Sequence, residues 1–140
     1  IRLSLVGSEM CIRDSGYLDT KFDETSEVLM IDLPGFPFPE APKWSFALGS
    51  QYVFDNGFYI GADAKYTSSY MARFTANSPN SFVGSRTIVN SQAGYRTEHW
   101  EVNAFAENLF DEEYLTYLEG DNLATLGPRR SFGVNVRAKF

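Results

Sequence analysis

Three consecutive carboxylates, Asp111, Glu112 and Glu113, are the densest acidic group in the chain. Hard divalent cations take such oxygen donors. The same run reads equally as a solvated loop start, with Asp111 in a turn, and Glu119 and Asp121 read the same way. Asp63 and Lys65 fall on one face of a strand pattern, where they suit pairing with neighbouring strands better than contact with a substrate. His99 is the one histidine and reads as a solvated turn residue; Cys11 is the one cysteine. A His-based triad, a transition-metal centre and an internal disulfide therefore have no residues to be built from. No phosphate loop or paired-carboxylate motif stands out either. The sequence reads as a non-enzyme with no catalytic, metal or cofactor site.

The elements that would carry these residues are strands. From Arg130 to Phe140 the chain alternates, with Phe132, Val134, Val136, Ala138 and Phe140 on one face and Ser131, Gly133, Asn135, Arg137 and Lys139 on the other. Period two with one apolar and one polar face marks a strand between an apolar and an aqueous phase. The pattern recurs upstream. Residues 43–54 place Trp44, Phe46, Leu48, Tyr52 and Phe54 together, and 58–70 place Phe58, Ile60, Tyr66 and Tyr70 together. Residues 86–96 align Val89 and Tyr95, and 100–110 align Trp100 and Val102, although Phe105 interrupts the polar face of that last strand. A shorter strand is expected at 16–24.

Long loops at about 25–42, 71–85 and 111–128 alternate with tight turns at 55–57 and 97–99. Asp55-Asn56-Gly57 suits the positive φ of a hairpin turn, and Pro34, Pro37, Pro39 and Pro42 preclude a central strand in the first long loop. The 140 residues carry eight Tyr and twelve Phe, yet mean hydropathy is only −0.25 and no apolar run is long enough for a transmembrane helix. Aromatic residues gather near strand ends. This combination fits an antiparallel transmembrane β-barrel, with long loops outside and short turns in the periplasm. On that reading Trp44, Phe46, Leu48, Tyr52, Phe54, Phe58, Ile60, Tyr66, Val89, Tyr95, Trp100 and Val102 face lipid, as does Val136. Arg129 and Arg130 could bind an anionic ligand or a lipopolysaccharide phosphate; Arg129 could equally pair with a carboxylate in the lumen. The net charge of −6 argues against nucleic acid as a partner.

Residues 1–15 do not continue the pattern. The stretch from Leu5 to Asp14 resembles the translated sequencing-adapter read-through found beside many unrelated metagenomic reading frames. We therefore expect a non-native segment at 1–15 and the barrel portion at 16–140. Setting the segment aside removes Arg2, Arg13, Glu9 and Asp14, so the net charge stays at −6, and it removes Cys11.

Asn108, Leu109, Phe110, Asp111 and Tyr114 resemble the penultimate strand of TonB-dependent outer-membrane receptors, and Pro128, Arg129 and the terminal aromatic strand resemble the close of the same family's barrel. The resemblance implies that about six up-and-down strands here belong to a barrel of roughly 22 with a plugged lumen. Alone, they would form an open curved sheet. It also implies import of a scarce ligand, such as a ferric siderophore, cobalamin or an oligosaccharide, across the outer membrane of a Gram-negative bacterium. Implied partners are outer-membrane lipid and lipopolysaccharide, the barrel-assembly machinery, and TonB through a plug domain outside these residues. Phe132, Val134, Val136, Ala138 and Phe140 would form the barrel-assembly signal. The alternatives are a passive outer-membrane porin and a soluble β-sandwich binding module.

Overall fold

The computed structural model describes residues 9–23, 27–28, 31–32, 35–72, 82–119 and 123–139. These residues form strands and turns with no helix. The strands are β1 (Glu9–Tyr17), β2 (Glu27–Val28), β3 (Ile31–Asp32), β4 (Trp44–Val53), β5 (Phe58–Thr67), β6 (Tyr70–Met71), β7 (Phe82–Val83), β8 (Arg86–Arg96), β9 (Trp100–Glu107), β10 (Leu115–Glu119), β11 (Leu123–Leu126) and β12 (Ser131–Ala138). Six of them make one antiparallel sheet in the order β1-β4-β5-β8-β9-β12; the other six pair as short hairpins. The order is that of an up-and-down meander, and the sheet is open, with β1 and β12 as its edges.

Pairing fixes which side chains share a face, because residues directly opposite in an antiparallel ladder point the same way. Tyr52 lies opposite Ile60, Leu48 opposite Ala64, Phe46 opposite Tyr66, and Ala64 in turn opposite Val89. Tyr95 lies opposite Phe58 and Val102, and Val136 opposite Val102. The alternating positions of all five strands from β4 to β12 thus merge into one continuous apolar face. It is bare: Leu48 is 62%, Phe132 69% and Val136 72% exposed. The described residues supply no second sheet over this face, so the sandwich alternative lacks its other half.

The rings on this face fall into two bands. Tyr17, Trp44, Phe46 and Tyr66 follow one another at centroid separations of 4.4, 5.7 and 6.0 Å beside the long loops. Tyr52 and Phe54 at 4.7 Å, then Phe58, Tyr95 and Trp100 at 4.6 and 5.4 Å, lie beside the tight turns. Trp44 and Phe54 are ten residues apart. At about 3.3 Å per residue and a tilt of about 40°, that separation spans roughly 25 Å along the sheet normal to the bands.

The tight turns form where their residues allow it. Gly57 has φ of 90°, Phe54 N–H donates to the Phe58 carbonyl at 2.8 Å, and the Gly57 carbonyl accepts from Arg96 N–H at 2.9 Å. A Cβ at Gly57 would lie 2.5 Å from the Arg96 carbonyl oxygen, so the turn closes against β8 only without a side chain. In the second turn the Thr97 hydroxyl accepts from Trp100 N–H at 3.0 Å.

Several boundaries differ from the sequence reading. The first strand is Glu9–Tyr17 rather than 16–24. Pairing with β4 stops near Trp44 because Pro42 just beyond it has no N–H to donate. β5 ends at Thr67, and Tyr70 leaves the apolar face: its hydroxyl donates to the Thr116 carbonyl at 2.9 Å inside the loop cluster. β9 ends at Glu107 rather than 110. All three long loops contain short hairpins. Phe105, the interruption in the polar face of β9, points to the concave side over Gly133, where a Cβ would come within 2.4 Å of its ring. A large ring over a glycine is a compensation that stiffens a sheet. Tyr59 covers Gly94 in the same way. The Phe140 position, residues 1–8, Pro34 and Asp121 lie outside the described residues.

β1 reverses the face rule. Arg13 lies opposite Leu48 and Glu9 opposite Tyr52, on the apolar face, whereas Ile12 and Met10 lie opposite Gly49 and Gln51 on the polar face. Tyr17, opposite Trp44, and Asp14, opposite Ala47 on the polar face, keep the rule. A shift of one residue moves every side chain of a strand to the other face, so the polarity of this segment is out of phase with the sheet it joins.

Candidate functional site

The acidic run and the paired arginines meet at the base of the third long loop. Asn108 follows β9 with φ of 49°, a conformation Asn tolerates better than most residues. It is 3% exposed. Its carboxamide NH₂ donates to the Glu112 carbonyl at 2.9 Å and to the Pro128 carbonyl at 3.0 Å, and its Oδ1 accepts from Glu112 N–H at 2.8 Å. One side chain thereby binds the outgoing and returning arms of the loop. Its backbone N–H donates to Asn90 Oδ1 at 3.1 Å, which fastens the knot to β8.

Asp111, also left-handed with φ of 56°, forms the second half of the knot. Its carboxylate accepts from Arg130 N–H at 3.0 Å and from the Arg129 guanidinium at 2.8 Å. Arg129 also pairs with Glu113. The backbone N–H of Arg130, then Arg129, hold the Asp111 carboxyl below its ordinary value. Tyr114 lies over Gly127, where a Cβ would come within 2.2 Å of its ring, and the Gly127 N–H donates to the Tyr114 carbonyl at 2.8 Å. Asp111 and Glu113 thus converge on a guanidinium, and among the described residues no acidic cluster has the arrangement of a cation site. Arg129 pairs with Asp111 and Glu113 of its own loop base, and neither is a carboxylate of the lumen-facing strand positions.

Asn90 and Arg86 are missing from the sequence reading. Asn90 donates to Asp63 Oδ2 at 2.9 Å while accepting from Asn108. Arg86 lies between the Tyr70 and Tyr114 rings, 5.6 and 5.2 Å from their centroids, and reaches the Leu115 carbonyl. Every one of these partners is distant in sequence, so nothing local signals them.

The concave face is largely polar, with Phe105 and Tyr59 set among its polar residues. Asp63, Asn90, Gln92, Asn103, Glu107 and Asn135 line a hollow of about 320 Å³. Nearer the long loops, Lys65, Thr67, Tyr70, Arg86 and Thr116 help to line one of about 610 Å³. At the tight-turn end Glu101 accepts from Arg96 at 2.8 Å and from the Tyr59 hydroxyl at 3.2 Å. His99 lies in the turn between β8 and β9, exposed, with its carbonyl accepting from Lys139 N–H at 2.7 Å.

Replacing Asn108 by Ala should lower folding stability by about 2–4 kcal/mol, because buried carbonyls lose their donor. Asp at this position should also destabilise, since it cannot donate to both carbonyls. Urea midpoints of the folded protein check both; an unchanged midpoint for Asp would refute the two-arm role of the NH₂ group. The depressed Asp111 carboxyl contributes stability above its unfolded value and loses it as pH falls through its folded value. Hydrogen exchange of the Arg130 amide, corrected for intrinsic rate, should therefore accelerate on acidification from about pH 5 to about pH 2. Asp111→Asn should flatten that dependence.

Comparison with known proteins agrees with this architecture. The ferric-catecholate import receptor Fiu of E. coli K12, in its closed form, superposes with a TM-score of 0.79 at 20% identity, covering 95% of this chain and 19% of that receptor. Its open form gives 0.60 at 24% identity, covering 69% of this chain and 15% of the receptor. At these identities the likeness is one of fold, and the chain spans about a fifth of the length of that receptor. The TonB dependent receptor-like β-barrel profile matches residues 14–109, running from the end of β1 to the start of the Asn108 knot. With a meander of alternating strands, one bare apolar face and a polar concave face behind it, the chain belongs to the TonB-dependent receptor β-barrel family.

Proposed function

We propose that this chain is part of the barrel wall of an outer-membrane receptor that imports a scarce ligand by TonB-dependent transport. The observation that carries the reading is the continuous apolar face bounded by two aromatic bands, in a chain of this family. Apolar bands about 25 Å tall between aromatic girdles are the mark of outer-membrane barrels. In this reading Trp44, Phe46, Leu48, Tyr52, Phe54, Phe58, Ile60, Tyr66, Val89, Tyr95, Trp100, Val102 and Val136 face lipid, and the concave face lines the lumen. The long loops lie outside the cell and the tight turns in the periplasm. The bare outer edge of β12, with Phe132, Val134, Val136 and Ala138 in register, serves the barrel-assembly machinery together with Phe140. A free strand edge can add to another sheet, and loss of Phe140 should reduce the heat-modifiable folded fraction in isolated outer membranes.

The cargo belongs to the ferric siderophore, cobalamin or oligosaccharide class. Fiu is a receptor for ferric catecholates, which makes an iron–catecholate the first candidate to test. The full-length receptor, expressed in a strain lacking its own importers, should restore growth on one of these ligands and lose that effect when TonB is deleted. Growth that persists without TonB would point to a passive pore instead.

We further propose that residues 1–15 take no part in the native barrel. The reversed polarity of Arg13 and Glu9 against Leu48 and Tyr52 supports this. An independent clone of the locus that encodes the same fifteen residues within a longer frame would overturn it.

Face assignment has its own test. An Arg near the bilayer midplane of a barrel costs about 2–4 kcal/mol on the lipid side. Leu48→Arg in the full-length receptor should therefore impair folding into bilayers much more than Gln51→Arg. Equal impairment would refute the assignment.

A further inference from the structure

We propose that the second and third long loops form one cooperative unit that opens together, latched at its base by Tyr70 and Arg86. The inference concerns the motion of the loops and goes beyond the import reading above. Tyr70 begins β6, where the chain enters the second loop, and Arg86 begins β8, where it returns. Each arm of that loop therefore carries a side chain that reaches the same short stretch of the third loop. The Tyr70 hydroxyl donates to the Thr116 carbonyl at 2.9 Å. The Arg86 guanidinium donates to the Leu115 carbonyl at 3.5 Å and lies 5.2 Å from the Tyr114 ring centroid. Tyr114, Leu115 and Thr116 are consecutive on the outgoing arm of the third loop.

The third loop is shaped to be gripped there. The register of β10 against β11 shifts between Leu115 and Tyr117, so Thr116 falls outside the ladder. Such a bulge re-aims the groups of the extra residue. The Thr116 hydroxyl donates to the Thr125 carbonyl at 3.1 Å, while its own carbonyl is left for Tyr70. The Tyr114 ring also lies against Gly127 on the returning arm, whose N–H donates to the Tyr114 carbonyl at 2.8 Å. Through this one ring Arg86 bears on both arms of the third loop. Its guanidinium lies 5.6 Å from the Tyr70 ring as well, and a cation gains from each aromatic face it meets. In the same cluster β7 lies against β10, and Met71, Ala72 and Val83 are buried. Opening either loop breaks the latch and uncovers part of this apolar seat. The other loop then has that much less to hold it, which is what makes neighbouring segments open as a unit.

The experiment is hydrogen exchange on the full-length receptor folded in detergent, with rates taken relative to amides at the centre of β5. Asn108→Ala loosens the neck of the third loop and touches no residue of the second. It should speed exchange in β10 and β11 by about tenfold, the effect of a buried carbonyl losing its donor. In a cooperative unit β6 and β7 accelerate with them by a similar factor. When the same substitution is made on a Tyr70→Phe, Arg86→Gln background, β10 and β11 should still accelerate while β6 and β7 should not. Acceleration confined to the third loop in the otherwise unaltered receptor would overturn the unit. Undiminished acceleration of β6 and β7 on the double-variant background would overturn the latch. The first comparison decides the matter even if the double variant fails to fold, and Asp111→Asn, which weakens the same neck, replaces Asn108→Ala if that protein does not fold. Either negative result leaves the import reading intact, because that reading is tested by growth on a ligand with and without TonB.

Discussion

An apolar sheet face with nothing packed on it is the constraint from which the rest of this structure follows. Phe46, Leu48, Ile60, Val134 and Val136 share one side of the sheet with half-buried Val102 and remain open. In water such a face would drive association. Against hydrocarbon it carries no penalty, and the difficulty moves to the backbone. Every N–H and C=O at that depth needs a partner within the protein, which a ladder supplies at every strand except the two edges. β1 and β12 are those edges here, and the outer side of each stays unpaired in this open sheet.

The concave side meets a different requirement. Its residues are polar, and they bond across strands: Asn90 to Asp63, Gln92 to Gln51, Tyr59 to Glu101. Where a glycine interrupts, a ring from the next strand covers it, as Phe105 covers Gly133 and Tyr59 covers Gly94. Stiffness on this side therefore comes from cross-strand bonds and close ring–backbone contact, with little buried apolar volume. Of the buried apolar residues, Tyr59 and Ala106 belong to the sheet, and Met71, Ala72 and Val83 sit in the loop cluster.

The loop base shows how one short segment can organise a long connection. Asn108 and Asp111 both adopt left-handed backbone conformations, and each side chain binds groups on the returning arm near Pro128 to Arg130. The loop between them carries its own hairpin, β10–β11, and is held at its neck by these bonds. The acidic residues after β9 thus have their work inside the chain, on Arg129 and on the start of β12.

The sequence by itself determined the strands and their two unlike faces, because alternation of side-chain type records directly which side chains share a face. The four central and final strands from 43 to 110 and beyond 130, the two tight turns and the sites of the long loops could all be read that way. Tertiary structure alone decided where strands stop: β5 ends at Thr67, and Tyr70 bonds to the Thr116 carbonyl in the loop cluster. It decided that Phe105 fills the space over Gly133 on the polar side. It also separated Arg129 from Arg130, two identical neighbours in sequence. The partners that distinguish Arg129, Asp111 and Glu113, are brought to that point by pairing between β9 and β12. Local pattern encodes a preference for a phase; identity of a contact partner is set by register across strands, which no short stretch of sequence contains.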